Sequence, residues 1–178
     1  MTMLQRGAAA PTSGTQDHVS VDQATLDRAV AEVSENALAW AATSPRERAE
    51  LLSRVVADTY AVSEEWAAAG CAAKGYDPNS VEGGEELFSG VGTFVRMANA
   101  FRQSMLDIIE QGRPQYPGPV RHKPGNRIAI QVVPGSGFDK LLYAGISGEV
   151  WMEPGLTEAD VQATQAEAYK NPVEHAGV

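Results

Sequence analysis

Residues 127–155 have the sequence RIAIQVVPGSGFDKLLYAGISGEVWMEPG, and they contain the strongest strand signals of the chain. Apolar and other residues alternate strictly at the start, with Ile128, Ile130 and Val132 on one side and Arg127, Ala129 and Gln131 on the other. A period of two predicts a half-buried strand. Pro134 ends it, because proline has no N–H for a ladder. Two further apolar segments, residues 138–143 and 149–152, are the next candidate strands.

The composition argues against two classes of partner. The 178 residues carry a formal net charge of −9. A chain this acidic repels phosphate backbones and anionic lipids, so we expect neither nucleic-acid binding nor membrane-surface binding. Residues 113–127 are the most basic stretch, with four of the fourteen Lys and Arg residues. Their prolines favour a solvated linker over a groove-binding element.

Cysteine usage and hydropathy predict the compartment. Cys71 is the only cysteine, which excludes an internal disulfide and fits a reducing environment. No apolar run approaches the length of a membrane span. The N-terminal residues lack the apolar core of a signal peptide. These features predict a cytoplasmic protein.

The order of signals predicts an α+β fold that is mainly helical, with N-terminal helices resting on a small set of strands. Residues 1–19 are small, polar and aperiodic, which predicts a disordered tail. Residues 20–112 are predicted to be helical, and residues 113–155 to contain the linker and the strands. Residues 156–178 are predicted to hold a short helix and a truncated end.

Helix boundaries are marked by caps. Ser20 and Gln23 have capping-box spacing, as do Ser44 and Glu47, and Ser63 is a third candidate N-cap. An apolar stripe in the first helix consists of Leu26, Val30, Val33, Ala37 and Trp40. Gly75 and Gly112 stand where C-terminal caps belong. The spacing of Thr157 and Asp160 predicts a last helix that continues to Tyr169 and is stopped by Pro172.

The longest helical segment spans residues 81–111 and has an unusual first half. Its predicted stripe comprises Leu87, Val91, Phe94, Val95, Ala98, Phe101, Met105 and Ile108. Gly83, Gly84, Gly90 and Gly92 weaken the helix where they occur. Either the helix begins late, or a neighbouring backbone packs closely against these glycines.

Cys71 is the first candidate for chemistry. As the only thiol it could serve as a nucleophile, but it lies in an alanine-rich helix with no histidine nearby in sequence. Free cysteines usually behave as small buried apolar residues. We expect the structural role.

Other reactive side chains form no recognisable motif. Ser136, Ser147, His122 and Asp139 supply the residue types of a hydrolase triad, but the G-x-S-x-G pattern is absent, which favours loop serines and a solvated histidine. The Gly135-Ser136-Gly137 turn could hold a phosphate, yet neither a GxGxxG pattern nor a P-loop Lys-Ser pair follows.

Acidic and metal-ligating residues give equally weak signals. Glu149 and Glu153 could form an acid/base pair, although polar residues at a sheet edge are the better interpretation. His18, His122 and His175 are isolated and predict no metal site. Trp151 and Met152 are expected in the core; the alternative is that residues 150–154 form an apolar edge covered by a partner.

Two parts of the sequence resemble the aldehyde dehydrogenase superfamily. Trp40, then SPRERAELL at residues 44–52, then a helix that closes on Ala-Lys-Gly at residues 73–75, is similar to the N-terminal helices of that family. FDKLLYAGISGEVWMEPG, at residues 138–155, resembles a divergent bacterial branch more specifically. The likeness extends over residues 37 to about 177.

The resemblance implies the first part of an NAD(P)-dependent oxidoreductase that oxidises an aldehyde through a cysteine thiohemiacetal. The family's catalytic cysteine, base glutamate and cofactor glycines would lie beyond residue 178, and Cys71 matches none of them. No catalytic, cofactor or metal residue is therefore assigned, and NAD or NADP is implied only for a complete enzyme. The chain by itself is expected to lack catalysis.

Two kinds of partner follow from these expectations. A lone N-terminal portion would expose residues 128–133 to a missing C-terminal domain, or it would self-associate. The alternative is a stand-alone helical module for oligomerisation or partner binding that uses the region of Trp151.

Overall fold

A computed structural model describes residues 21–172, which divide into two compact units between Asn36 and Ala37. The fold is mainly helical with one small antiparallel sheet, so the predicted α+β class is confirmed. The helices are α1 (Gln23–Ala42), α2 (Pro45–Ala61), α3 (Ser63–Lys74), α4 (Val81–Glu86), α5 (Thr93–Gln111), α6 (Gly137–Leu142), α7 (Glu158–Thr164) and α8 (Glu167–Lys170). The strands are β1 (Val120–Lys123), β2 (Arg127–Val133) and β3 (Gly148–Trp151).

Helix α1 forms where its apolar spacing predicts it. Asp22 caps its start, since one Asp22 carboxylate oxygen accepts the Thr25 N–H at 2.9 Å. The predicted cap Ser20 lies outside the described residues. None of the residues of α1 is buried in the described structure. The apolar stripe therefore predicted the helix correctly, but its residues are not buried.

Helix α2 begins with the predicted capping box. The Glu47 N–H donates to the Ser44 hydroxyl, and the Glu47 carboxylate accepts from the Ser44 N–H. Two orphan donors are satisfied in this way. The left-handed caps at Gly75 and Gly112 are also confirmed, with φ angles of 72° and 75°. Ser63, in contrast, does not cap α3; its hydroxyl donates to the Tyr60 carbonyl.

The core of the second unit is built mainly between α2 and α5. Val95, Ala98 and Met105 are the buried side chains of α5, and Ala49 and Thr59 are those of α2. Spacings of three and seven residues place the α5 group on one helix face. At the edge of this pair, the Arg102 Nε donates to the Ser53 hydroxyl at 2.7 Å.

The glycine-rich entry to α5 packs closely against a neighbouring backbone, which was the second of the two alternatives. Helix α4 begins at Val81 and continues through a π-helical segment, Leu87–Gly92, into α5. A Cβ at Gly83 would lie only 2.3 Å from the Pro78 carbonyl oxygen. The close approach of the Pro78 carbonyl therefore requires a glycine at position 83. The alternative, a helix that begins late, does not hold.

The three strands form an antiparallel sheet in the order β1-β2-β3. Because β2 is central, Ile128, Ala129 and Ile130 are buried, and the expectation that this strand would be exposed is wrong. The basic stretch also differs from the predicted solvated linker, since it contains β1. A turn with positive φ at Gly125 and Asn126 folds β1 back onto β2.

Helix α6 (Gly137–Leu142) occupies most of residues 138–143, where the sequence predicts a second strand. The Ser136 hydroxyl caps α6 by accepting the Asp139 N–H at 3.1 Å. Near the C-terminus, α7 starts with the predicted box of Thr157 and Asp160. The predicted continuous helix to Tyr169 is interrupted, because Ala166 has a φ of 60° and separates α7 from α8.

Arg48 connects the turn before α2 to the C-terminal region. Its guanidinium donates to the carbonyls of Trp40 and Thr43 at 2.5 and 3.0 Å. The Arg48 Cζ also lies 4.2 Å from the ring centroid of Trp40 and 5.4 Å from that of Tyr169. This arrangement orients α2 and α8 relative to each other through cation–π contacts.

The close approach at Gly83 predicts opposite effects for two adjacent substitutions. Gly83→Ala is expected to lower the free energy of unfolding by about 1–3 kcal/mol, because the added methyl overlaps a backbone carbonyl. Gly84→Ala is the matched control, since nothing lies within 4 Å of its Cβ position. It is expected to stabilise by about 0.5–1 kcal/mol. Urea unfolding measures both, and equal effects would contradict this packing.

Candidate functional site

A cleft of about 610 Å³ lies between α5 and the junction of β2 with α6. Its wall on the α5 side is mostly polar, whereas Val132 and Pro117 supply apolar surface opposite. The charged or hydroxyl-bearing side chains that line the cleft are Arg96, Ser104, Asp107, Tyr116, Ser136 and Asp139.

Asp139 is the best-buried charged residue of the cleft, with 2% of its surface exposed. Its Oδ1 accepts from the Arg96 guanidinium at 2.5 Å, and its Oδ2 accepts the Gly135 N–H at 2.9 Å. Burial by itself raises the pKa of Asp139, but the hydrogen bonds from Gly135 and Arg96 outweigh it and lower the pKa below the ordinary value of 3.8. The carboxylate is therefore held in its charged form.

The chemistry available at Asp139 is anchoring and not proton transfer. The two carboxylate oxygens are engaged by Arg96 and Gly135, and the Ser136 hydroxyl accepts the helix-capping N–H. His122 lies on β1 and lines a different cavity, of about 170 Å³. The exposed Ser147 lines neither cavity. These residues are not brought together as a triad.

The Gly135-Ser136-Gly137 turn does not present a phosphate cradle. The Gly135 N–H already donates to Asp139, so the Gly135 amide is not free for an anion. A Cβ at Gly135 would lie 3.2 Å from the Val132 carbonyl oxygen and 3.4 Å from Pro117, which shows how closely the turn is packed.

Cys71 has the structural role that its helix predicts. It is completely buried on α3. It lines a cavity of about 340 Å³ together with Ala67, Gly83 and Leu87.

Glu149 is a polar residue of the edge strand β3, as predicted. Its carboxylate lies 2.5 Å from the Lys123 Nζ and 3.9 Å from the Arg121 Nε, across the sheet on β1. The hydrogen bond from Lys123 lowers the pKa of Glu149. Glu153 follows the strand and is exposed, so the two carboxylates are not arranged as an acid/base pair.

Trp151 departs from the prediction that it lies in the core. Half of its surface is exposed, and its ring lies 5.4 Å from the Lys123 Nζ. Val150 beside it is 48% exposed. The alternative interpretation, an apolar edge, describes this strand better.

Residues 21–172 contain no group of three or more His, Cys, Asp or Glu side chains that could hold a metal ion. His18 and His175 lie outside that range. The described sheet is antiparallel throughout, whereas dinucleotide sites are built at the carboxyl ends of parallel strands. The described strands therefore do not form the parallel arrangement of a Rossmann-type dinucleotide site.

Sequence reasoning missed the ion pair of Arg96 and Asp139. One signal was available, since Ser136 and Asp139 have the Ser-x-x-Asp spacing of an N-terminal helix cap. That spacing predicts α6 in place of a strand. Nothing local identifies Arg96, which is 43 residues away in sequence.

No family model, curated protein or solved structure matches the chain. None of the described helices is both long enough and apolar enough to cross a membrane. Function is therefore inferred from the contacts above and from the sequence resemblance.

The lowered pKa of Asp139 predicts a pH-dependent contribution to stability. A depressed native pKa stabilises the fold above the unfolded value, near 3.8, and this stabilisation is lost as the pH falls through the native pKa. Wild type is expected to be more stable than Asp139→Asn at pH 6, and the difference should shrink below pH 4. Urea unfolding at each pH measures it; a difference that stays constant down to pH 2.5 would contradict the assignment.

Proposed function

We propose that this chain is the N-terminal portion of an aldehyde dehydrogenase-like, NAD(P)-dependent oxidoreductase. In this proposal the chain provides a packing surface for a nucleotide-binding and catalytic region, and it supplies no catalytic residue itself. The proposal rests first on the sequence resemblance, which is most specific in residues 138–155.

The observation that carries the proposal is the concentration of exposed apolar side chains in that same segment. Seven large apolar residues between 38% and 76% exposed lie there: Phe138, Leu141, Leu142, Tyr143, Ile146, Val150 and Trp151. Large exposed apolar side chains that form a patch often mark an interaction site. The segment that carries the resemblance thus also carries many exposed apolar side chains.

The remaining features agree with a supporting role. Asp139 fixes α6 to α5 from inside, so the outer side of α6 is held in place. Cys71 is completely buried, which agrees with a structural role for the thiol. Aldehyde oxidation and NAD or NADP binding would both depend on groups outside the described residues.

A second candidate function is a stand-alone module for oligomerisation or partner binding. It is favoured by one feature, the half-exposed Val150 and Trp151 on an edge strand. Neither candidate predicts binding of NAD or NADP by the 178-residue chain alone, so calorimetry with the nucleotide does not distinguish them.

The coding DNA beyond the codon for Val178 distinguishes the two candidates. The oxidoreductase proposal predicts that a reading frame continues into a glycine-rich strand–turn–helix and later a cysteine. The longer protein should then oxidise aldehydes with NAD or NADP. A stop codon followed by unrelated sequence would contradict this proposal and leave the binding module.

Hydrogen exchange tests the packing surface directly. Amides of Gly137–Leu142 and of the loop to Ile146 are expected to exchange at least about tenfold more slowly in the longer protein than in the 178-residue chain, because a further domain covers them. Amides of α2 serve as the internal control, since α2 is already packed against α5. Equal exchange of α6 in both proteins would contradict the proposed docking.

A further inference from the structure

The cleft along α5 carries opposite charges at its two ends. Arg96 and Asp107 both line it, and both lie on α5. The eleven positions from one to the other make about three helical turns, so the two side chains leave the same face of α5 at points about 16 Å apart. A ligand in this cleft therefore meets a cation at one end and an anion at the other.

Arg96 has donors available for a ligand. Its guanidinium donates to the Asp139 carboxylate at 2.5 Å, and 51% of the side chain is exposed. A guanidinium has five N–H donors, so this one bond leaves most of them unused. Asp139 is itself fixed by the Gly135 N–H, and it holds the guanidinium in place. Arg96 is thus a preoriented donor for a carboxylate, which arginine binds with two parallel hydrogen bonds.

Asp107 is held in place at the opposite end of the cleft. Its Oδ1 accepts from the Gln103 side-chain amide at 2.8 Å, and its Oδ2 accepts the Gln115 N–H at 3.0 Å. The two oxygens of a carboxylate have about four acceptor sites. The Asp107 carboxylate therefore has room for further N–H donors, and its charge favours an ammonium group.

The walls between these ends suit a chain of amides. The side-chain amides of Asn99 and Gln103 lie between the two charged residues on α5, and Pro117 and Val132 provide apolar surface opposite. Side-chain amides pair with the N–H and C=O groups of a peptide, which a plain hydrocarbon chain lacks. The cleft volume of about 610 Å³ falls within the range of about 300–1,000 Å³ found for ligand sites.

We propose that this cleft binds a short peptide with free termini, with the peptide carboxylate at Arg96 and the peptide ammonium at Asp107. An extended peptide of three residues spans about 10–11 Å, and a charged hydrogen bond adds about 2.8 Å at each end, which gives about 16 Å. A ligand with both charges also suits a chain of net charge −9, which repels purely anionic ligands.

Calorimetry with modified peptides tests the two ends separately. Trialanine should bind the 178-residue chain with a Kd on the order of 100 μM. Amidation of its C-terminus should weaken binding at least about tenfold, because charged hydrogen bonds to arginine are lost. Acetylation of its N-terminus should weaken binding at least about threefold. No binding at about 10 mM trialanine, or equal affinity of the three peptides, would overturn the proposal.

Two substitutions assign the peptide ends to residues. Asp107→Asn leaves the contact between Arg96 and Asp139 intact, and in this variant acetylation of the peptide should have no further effect. In Arg96→Gln, amidation should have no further effect. Arg121→Gln is the matched control, because the Arg121 side chain is 57% exposed and that of Arg96 is 51% exposed. This control should bind trialanine as wild type does.

Circular dichroism checks the fold of each variant, because Arg96→Gln also removes a contact within the chain. Should Arg96→Gln fail to fold, the comparison of peptides on Asp107→Asn still decides. An undiminished effect of acetylation on Asp107→Asn would overturn the proposal, and so would an equal loss of affinity in Arg121→Gln and Arg96→Gln. The site is independent of the proposed oxidoreductase function, because it uses α5 and not the exposed apolar residues of α6 and β3.

Discussion

The contact between Asp139 and Arg96 is the constraint on which the arrangement of sheet and helices depends. Asp139 lies on α6, which follows β2, and Arg96 lies on α5, so their hydrogen bond joins α6 to the main helix pair. A buried carboxylate is tolerated only when it is paired and hydrogen-bonded. With Gly135 donating to its second oxygen, Asp139 also fixes the turn between β2 and α6.

The placement of the apolar surface follows from this anchor. Because the polar end of α6 is held inward, Leu141 on the same helix is left 76% exposed. The chain continues from α6 to β3, where Val150 and Trp151 lie at an edge of the sheet. In the chain, Asp139 thus lies between the buried residues of β2 and the exposed apolar residues that follow. Because those exposed residues offer a surface for binding and no reactive group, the proposals concern binding and not catalysis.

Local signals in the sequence predicted local structure well. The capping box at Ser44 and the left-handed glycine at Gly75 depend only on neighbouring residues, and both are confirmed. The alternation in β2 predicted a half-buried strand; the strand is confirmed, but Ile128, Ala129 and Ile130 are all buried, so both of its faces are covered. The central position of β2 in the sheet depends on its pairing with β1, a strand of four residues in a proline-rich stretch. The burial of β2 therefore could not be predicted from the sequence of β2 alone.

The failures share a physical cause. An apolar run of six residues fits a buried strand as well as a short helix, and the cap at Ser136 decides between them. The apolar side chain of Trp151 predicted burial, whereas its strand lies at an edge. The candidate cleft was not foreseen at all, since its defining contact joins residues that are 43 positions apart.

A double-mutant cycle on Arg96→Gln and Asp139→Asn tests most directly whether this contact holds the sheet on the helices. Urea unfolding should show that the double variant loses less stability than the sum of the two single variants. The cycle of Arg102→Gln with Asp139→Asn serves as the control and should be additive, because Arg102 is bonded to Ser53. Additive losses for Arg96 and Asp139 would contradict the account.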